Sequence, residues 1–319
     1  MKIFGTFCFA VTALVAANSA LQAQTAFPSQ PVKIIVPFSP GSATDLLARI
    51  VADKLPERWN QQVIVENRPG LAGTSSVASS PADGHTLMVT SNGHTIAQLL
   101  NKNLPFDPVK SFSGVTQLAS VPLVLIVPPA LPVKTLKEFI ELAKSQPGKF
   151  NYSSAGPSST TGIAGTLFKQ AAKLDMQHVP YRGAPEAVTA VVRGDAQMYF
   201  TPSNVGVELV QAGQVRALAT VTAKRLPNLP DVPTFAEAGM PDFSYDSWFG
   251  LMVPAGTPRP VVEKINRDVV AILQMPDTQE RLEKTGATAV YNSAEKFDEI
   301  IKADTARYTE ALKDLITPN

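Results

Sequence analysis

Short apolar runs of strand length alternate with helical patterns along most of this sequence, and this alternation restricts the fold more than any other feature. The run VKIIVPF at 32–38 precedes a helical pattern, and similar strand–helix pairs recur from residue 61 to residue 221. The apolar positions of the first helical pattern lie three and four residues apart, on one face: Leu46, Leu47, Ile50, Val51 and Leu55. Strands that alternate with helices predict an α/β fold of parallel sheets covered by helices on both faces.

Two long extended runs interrupt the alternation and contain no helical pattern. They read VTQLASVPLVLIVP at 115–128 and YDSWFGLMVP at 245–254, and only helical patterns and one strand-like segment follow the second run. Two such crossings around an inserted α/β unit predict two lobes joined by a double hinge, with residues 27–120 and 250–319 in the first lobe and 121–249 in the second. Two consecutive independent domains are less favoured, because the tail after the second run has too few strands for its own sheet.

The N-terminus has the features of an export signal. Lys2 precedes a short apolar segment, IFGTFCFAVTALVAA, and small residues follow it. This pattern predicts a signal peptide over residues 1–23, cleaved near Ala23, and a mature protein in the periplasm. A membrane anchor is less favoured, because the apolar segment is shorter than the about 20 residues that a spanning helix needs. The single cysteine, Cys8, lies in this leader, so we expect a mature chain without disulfides.

Charge and motifs exclude several classes of function. The formal net charge is +1, which provides no electrostatic footprint for nucleic acid. The sequence has no phosphate-binding glycine motif, no G-x-S-x-G nucleophile elbow and no paired His or Cys spacing for a metal. We therefore expect no cofactor, no metal and no nucleic-acid partner, and a protein that is not an enzyme. A hydrolase whose catalytic residues are scattered through the sequence stays open.

A hydroxyl-rich turn, PFSPGSATD at 37–45, joins the first strand to the first helix. Gly41 permits a tight turn, and Ser42 followed by Asp45 has the spacing of a capping box. The start of such a helix presents unpaired N–H groups and the positive end of the helix dipole, so it favours a carboxylate or a phosphate. Taken alone, the segment is better interpreted as an ordinary capped turn, since many α/β turns have this pattern.

A second turn of the same kind makes an anion site the better interpretation. The segment NYSSAGPSSTTGIAG at 151–165 also leads from a strand into a helix, with Ser158 or Ser159 as the candidate cap. Ligands of doubly wound folds bind at the carboxyl ends of the strands, where both turns are expected. One turn in each lobe, facing the other across a cleft, predicts a site that holds a small anion without a fixed cation.

Six segments of the chain carry a resemblance to a known family. They read FPSQPVKIIVPFSPGSATDLLAR, VIVENRPG, ADGHTLMVTSNG, NYSSAG, VPYRGAPEAV and SWFGLMVPAGTPRPVVEKIN. In this order they resemble the Bug family of periplasmic solute receptors, the substrate-binding components of tripartite tricarboxylate transporters. The resemblance implies a type II periplasmic-binding-protein fold, in which two doubly wound α/β lobes joined by a double hinge close on one ligand like a venus flytrap. It also implies a small carboxylate ligand and two integral-membrane transporter subunits as partners.

The sequence departs from the family pattern at several pocket positions. Ser42 replaces the second glycine of the first turn, and Thr201 stands where many relatives have an aspartate. The histidine that often follows the serine of the second turn is missing, and the segment after ENRPG is poorer in glycine. A less acidic and more apolar pocket argues against an amino acid and in favour of an aromatic or aliphatic acid.

The expected ligand-binding residues lie in the two turns and at neighbouring strand ends. They are Ser39, Gly41, Ser42, Ala43, Asp45, Ser91, Ser154, Gly156, Ser158, Ser159, Tyr181 and Thr201. Among these, Asp45 is expected mainly to cap its helix. Arg182 is interpreted as solvated and Trp248 as packing, while His94 is interpreted equally well as a cleft residue or a structural one.

The expected function is capture of a small organic carboxylate between the lobes and delivery of it to a tripartite tricarboxylate-type transporter. The protein is expected to act as a monomer. Two alternatives are a ligand-sensing adaptor for a membrane receptor or kinase and, less favoured, an exported hydrolase.

Overall fold

The first lobe is built on a six-stranded mixed sheet, seen in a computed structural model that describes residues 27–101, 103–245 and 247–316. Its strands are β1 (Val32–Val36), β2 (Val63–Asn67), β3 (Thr86–Ser91), β4 (Phe112–Ser120), β10 (Phe249–Pro254) and β11 (Thr288–Ala289). Their order across the sheet is β11-β4-β10-β3-β1-β2.

The prediction of purely parallel sheets is wrong for the strands that come from the extended runs. β1 pairs in parallel with β2 and β3, whereas β10 runs antiparallel to both β3 and β4. Parallel neighbours need a crossover connection, usually a helix. β10 enters the sheet directly from the hinge, with no helix before it, and therefore enters in the opposite direction.

Helices cover both faces of this sheet. They are α1 (Ala43–Ala52), α2 (Leu55–Trp59), α3 (Leu71–Ala78), α4 (Ala97–Leu100), α9 (Arg259–Leu273), α10 (Pro276–Lys284) and α11 (Ala294–Ile316), with a 3₁₀ helix at Asn92–Ile96. Successive strand residues point to opposite faces. Accordingly Ile34 packs in the cluster that holds Leu47 and Val269, while Ile35 packs on the other side with Trp248 and Phe297.

The second lobe contains five strands and four helices among its described residues. The strands are β5 (Leu123–Val127), β6 (Phe150–Ser154), β7 (Met176–Pro180), β8 (Tyr199–Pro202) and β9 (Arg216–Thr220), and the helices are α5 (Leu136–Ser145), α6 (Thr160–Ala171), α7 (Ala184–Arg193) and α8 (Ser203–Gln211). β5 runs antiparallel to β8 and β9, and β6 is parallel to β7. A bridge between Tyr152 and Met198 joins β6 to the end of the β8 segment. An aromatic cluster around Phe168 and Phe235 fills the core, with ring centroids 5.7 Å apart.

The chain crosses between the lobes twice. β4 ends at Ser120 and β10 begins at Phe249. The lobe limits predicted from the sequence, 27–120 with 250–319 and 121–249, stay a prediction. The C-terminal helix α11 contacts both lobes, because Phe297 packs against the first-lobe sheet and Tyr308 packs in the second-lobe core. Trp248, interpreted as packing, is buried and donates its indole N–H to Asp304 at 2.7 Å.

Within the described ranges, no helix is both long and apolar enough to cross a membrane. The predicted signal peptide over residues 1–23 lies outside the described residues.

Candidate functional site

The first hydroxyl-rich turn connects β1 to α1 and has the predicted local structure. Gly41 adopts a left-handed conformation, with a φ of 77°. Ser42 is the N-cap of α1, and its Oγ accepts a hydrogen bond from the Asp45 N–H at 3.3 Å. The N–H groups of Ala43 and Thr44 precede the first intrahelical hydrogen bond, so the helix supplies no acceptor for them. These two N–H groups are available to a ligand.

The carboxylate of Asp45 stabilises this turn through hydrogen bonds and an ion pair. It accepts hydrogen bonds from the Gly41 N–H at 2.9 Å and from the Asn67 amide at 2.9 Å, and it forms a two-point ion pair with Arg49 at 3.0 and 3.1 Å. Burial raises the pKa of Asp45, but the hydrogen bonds from Arg49, Gly41 and Asn67 outweigh burial and lower it. The carboxylate is therefore ionised and its charge is compensated by Arg49.

The second turn, between β6 and α6, repeats the arrangement in the other lobe. Of the two candidate caps, Ser159 rather than Ser158 is the N-cap, and its Oγ accepts a hydrogen bond from the Gly162 N–H at 3.0 Å. The N–H groups of Thr160 and Thr161 lie before the first intrahelical bond, as at the first turn. Each lobe thus offers a pair of N–H groups at a helix start.

Both helix starts border one small cavity between the lobes, with a volume of about 20 Å³. Residues 42–44 line it from the first lobe and residues 159–161 from the second. A space of this size holds about one water-sized polar group. Every side chain that lines it among the described residues is uncharged. Negative charge at this position would meet backbone N–H groups and two helix dipoles.

Ser91, at the end of β3, also lines this small cavity. Its side chain is buried, with 2% of the residue exposed, and its Oγ has no hydrogen-bond partner among the described residues. A buried hydroxyl without a partner costs about 1–3 kcal/mol. A ligand oxygen in the cavity would remove this cost by accepting a hydrogen bond from Ser91.

A second, larger cavity of about 640 Å³ adjoins the small one, and Phe38 and Ala155 line both. Its volume is typical of pockets for small molecules. The wall is mostly apolar, and its polar lining consists mainly of neutral side chains: Thr74, Thr90, His94, Asn101 and Ser158. Among the described residues, the one charged side chain in the lining is Arg182, which is exposed. The arginine interpreted as solvated therefore also borders the cavity.

The lobes contact each other around these cavities. Asn92 of the first lobe accepts a hydrogen bond from the Thr160 hydroxyl at 2.7 Å. Gly93 lies so close to the second turn that a Cβ added there would stand 1.6 Å from the Ser158 carbonyl oxygen. The structure is therefore a closed form, in which the cleft is shut over the two cavities.

The structure brings together seven of the twelve residues expected to bind the ligand. Ser42, Ala43, Ser91 and Ser159 line the small cavity, and Gly156, Ser158 and Tyr181 line the larger one. The other five are not among the residues that line either cavity: Ser39, Gly41, Asp45, Ser154 and Thr201. Ser154, for example, bonds to His178 at 2.7 Å, and the His178 ring stacks on Tyr152 with centroids 4.6 Å apart.

Sequence reasoning missed several residues that line the cavities. Thr44, Thr160 and Thr161 belong to the two turns and could have been found from their positions at the helix starts. Phe38 also belongs to the first turn, but its apolar side chain gave no signal of a polar site. Other lining residues come from distant segments, and no local pattern marks them: Leu71, Thr74, Thr90, Asn101 and Phe106.

Comparisons with known proteins agree with this architecture. The profile of the tripartite tricarboxylate transporter family receptors (TctC) matches residues 47–316. The protein BugT of Bordetella pertussis is 30% identical over 293 residues, which cover 90% of this chain and 90% of BugT.

Two solved structures with bound dicarboxylates are similar over the same extent. Rpa4515 of R. palustris, solved with adipate, has a TM-score of 0.85 at 32% identity and covers 90% of this chain and 97% of its own. MatC of Rhodopseudomonas palustris, solved with bound malate, has a TM-score of 0.85 at 31% identity and covers 90% of this chain and 100% of its own. The predicted periplasmic-binding-protein fold is confirmed. The chain belongs to the TctC/Bug family of periplasmic solute-binding proteins, a family of receptors rather than enzymes.

Proposed function

We propose that the small cavity holds the carboxylate of a small organic acid and that the protein delivers this acid to a membrane transporter of the tripartite type. One observation carries the proposal: two helix N-termini, one from each lobe, line the same cavity together with the Ser91 hydroxyl, which has no partner among the described residues. Each helix start is equivalent to roughly half a positive charge. Together they compensate about one negative charge without a cationic side chain.

The compensation of Asp45 by Arg49 supports this assignment. An uncompensated carboxylate in the first turn of α1 would repel a bound anion. The Arg49 guanidinium is 3.0 Å from the Asp45 carboxylate and compensates its charge. Asp45 therefore stabilises the first turn without adding net negative charge beside the cavity. The hydrogen-bonding groups that would meet the ligand carboxylate belong to Ala43, Thr44, Ser91, Thr160 and Thr161.

The larger cavity would take the rest of the acid. It adjoins the small cavity and is lined by Phe38, Pro157 and Tyr181 among other apolar groups, which suit an aromatic or aliphatic body. The adipate and malate bound by Rpa4515 and MatC support a carboxylic acid as ligand class. Because one chain supplies both turns, the site requires no second copy.

Binding would shift the balance between an open and a closed form. Only the closed form lets both helix starts contact the same carboxylate, so the acid stabilises closure by its differential affinity. The family description supports a transporter as the receiving partner, after export directed by residues 1–23. A sensing role on the same fold would use the same closure, and a membrane partner that co-purifies with the closed form would separate the two roles.

Thermal unfolding of the chain without residues 1–23 tests this proposal. The panel contains monocarboxylates, di- and tricarboxylates, amino acids and inorganic phosphate. A ligand at 100 times its dissociation constant adds about 2.7 kcal/mol to the free energy of unfolding. We expect an upward shift of the midpoint with at least one carboxylic acid. If no acid shifts the midpoint, the assignment of the cavity is wrong.

Ser91→Ala adds a more specific test. It removes the hydroxyl and leaves the backbone unchanged. Because Ser91 Oγ has no hydrogen-bond partner in the described part of the closed structure, the variant should keep or raise the stability of the free protein. Loss of a hydrogen bond to a charged group should weaken acid binding about 10-fold or more. Ser79→Ala, on the exposed end of α3, serves as the control and should change neither quantity.

A further inference from the structure

His94 is a buried titratable group on the wall of the larger cavity, and the proposed anion site does not use it. It lies on the 3₁₀ helix Asn92–Ile96, with 5% of the residue exposed, and its ring borders the cavity. The ring packs edge-to-face against Phe112, with centroids 4.8 Å apart. Packing on one side and a hydrogen bond on the other fix its orientation.

The hydrogen bond determines which ring nitrogen carries the proton. His94 Nε2 lies 2.7 Å from the Pro108 carbonyl oxygen. A carbonyl oxygen can only accept, so Nε2 must be the donor. Burial lowers the pKa of His94 to about 4, and the hydrogen bond to Pro108 opposes this only in part. The ring is therefore neutral near pH 7, and Nδ1 presents a lone pair.

The Nδ1 lone pair needs a donor that the protein does not provide. Within the described part of the chain, the structure gives Nδ1 no hydrogen-bond partner. The cavity is the open space that the ring borders. A donor for this nitrogen would therefore come from whatever occupies the cavity.

Different parts of this wall suit different groups. The start of α3 lines the cavity at Gly70 and Leu71 and has no side-chain cap, so that part of the wall favours an anion. The position against His94 does not, because a carboxylate placed there would lose its water and face another lone pair, which is strongly unfavourable. A hydroxyl group placed there would donate to Nδ1 and satisfy it.

We propose that His94 determines specificity by accepting a hydrogen bond from a hydroxyl group on the body of the bound acid. The preferred ligand is then a monocarboxylate that carries an alcohol or phenol group, rather than an acid with a second carboxylate at that position. This inference rests on the proposed function, because the small cavity must anchor the carboxylate for the hydroxyl to reach the wall.

Matched ligands test the inference by calorimetry on the chain without residues 1–23. The pairs are benzoate with 3- and 4-hydroxybenzoate, and hexanoate with 6-hydroxyhexanoate, and adipate represents the dicarboxylates. We expect at least one hydroxylated acid to bind about 5- to 150-fold more tightly than its parent. This is the range expected when a ligand hydroxyl forms a hydrogen bond with a buried acceptor that otherwise has no donor. We also expect 6-hydroxyhexanoate to bind more tightly than adipate.

Variants of His94 assign the preference to this side chain. His94→Phe should bring the affinity ratio of hydroxylated to parent acid close to one. His94→Gln keeps a donor for Pro108 and an acceptor for the ligand, so it should restore part of the ratio even if His94→Phe folds poorly. His85→Gln is the control, since His85 accepts a hydrogen bond from the Ser29 N–H outside the cavity lining. The control should keep the wild-type ratio.

The outcomes separate this inference from the proposed function. If parent acids and hydroxylated acids bind equally, or if adipate binds most tightly and the ratio does not change in His94→Phe, the role of His94 is wrong and the anion site stands. If no acid in any group binds to the wild-type protein, both are wrong.

Discussion

The side-chain oxygen of Asn92 in the first lobe accepts a 2.7 Å hydrogen bond from the Thr160 hydroxyl in the second lobe. The amide of the same Asn92 donates to the Tyr245 hydroxyl at 2.9 Å and to the Tyr308 hydroxyl at 3.2 Å. Tyr245 belongs to the hinge run and Tyr308 to the C-terminal helix. A single buried side chain thus connects the β3 end, the second anion turn, the hinge and the C-terminal helix in the closed form.

Thr160→Val should weaken ligand binding by loosening closure. Valine has the shape of threonine and leaves the Thr160 backbone N–H in place, but it removes the hydroxyl that bonds to Asn92. Loss of a buried hydrogen bond between the lobes costs about 1–3 kcal/mol in the closed form, which corresponds to about 5- to 150-fold in affinity. Calorimetry measures the affinity, and small-angle X-ray scattering measures the fraction of closed protein.

Thr166→Val is the matched control for this prediction. Thr166 lies on the same helix, and its hydroxyl bonds to Tyr152 at 3.0 Å and to the Gly162 carbonyl at 2.9 Å, both within the second lobe. It should lower stability without a specific effect on closure. Equal loss of affinity in both variants would show that the Asn92–Thr160 bond has no special role in closure.

The caps of the two hydroxyl-rich turns could be predicted from the sequence because their chemistry is local. Ser42 caps α1, whose third residue is Asp45, and Ser159 caps α6, so a few adjacent residues contain the signal. The Asn92 connections could not be predicted, because its partners Thr160 and Tyr308 are 68 and 216 residues away. Hydrophobic periodicity places elements but says nothing about which polar side chains meet after folding.

His94 shows a second limit of sequence reasoning. The residues around His94 in the sequence were compatible with a role in the cleft and with a structural role. In the structure, His94 has both kinds of contact. One ring nitrogen binds the Pro108 carbonyl, while the ring borders the cavity. The position of the Pro108 carbonyl, 14 residues away, determines which ring nitrogen is the donor and which is left with a lone pair. No spacing rule describes such a contact.

Ala43→Pro should remove one ligand contact with little effect on folding. Ala43 is the first residue of α1, where proline is well tolerated, because its missing N–H has no intrahelical acceptor. Ser42 has an extended ψ of 159°, which is compatible with a following proline. Because this N–H borders the small cavity, we expect acid affinity to fall at least 10-fold, measured by calorimetry. If the affinity is unchanged and the fold is intact, the Ala43 N–H at the start of α1 does not contact the ligand.

Gly93→Ala should prevent full closure while leaving the open form intact. A Cβ at this position would stand 1.6 Å from the Ser158 carbonyl oxygen, and the two residues belong to different lobes. The clash exists only when the lobes meet, so the cost falls on the closed form. We expect acid affinity to fall more than 100-fold and the midpoint of thermal unfolding without ligand to stay close to that of the wild type. A large fall in this midpoint would mean that the free protein is closed as well.

The buried histidine His94 should make the free protein less stable in mild acid. Burial lowers its pKa in the folded state to about 4, whereas the unfolded chain has an ordinary pKa near 6.5. Between these values the unfolded state binds one more proton than the folded state. The contribution of His94 to the free energy of unfolding should therefore be constant above about pH 6.5 and fall by about 1.4 kcal/mol per pH unit as the pH drops toward 4. Burial also lowers the pKa of His178 to about 4, so His178 adds a similar fall over the same range.

His94→Gln isolates this contribution from other titrating groups. Burial lowers the pKa of His178 to about 4 and raises that of Asp298, and hydrogen bonds lower that of Asp45, so these groups also change stability in this pH range. Those contributions are shared by both proteins and cancel in the difference. The variant should lose less stability than the wild type between pH 6.5 and 4, measured by urea unfolding at each pH. Parallel pH profiles would mean that His94 binds its proton in the folded state as readily as in the unfolded state, and its Nδ1 would then be a donor in mild acid rather than an acceptor.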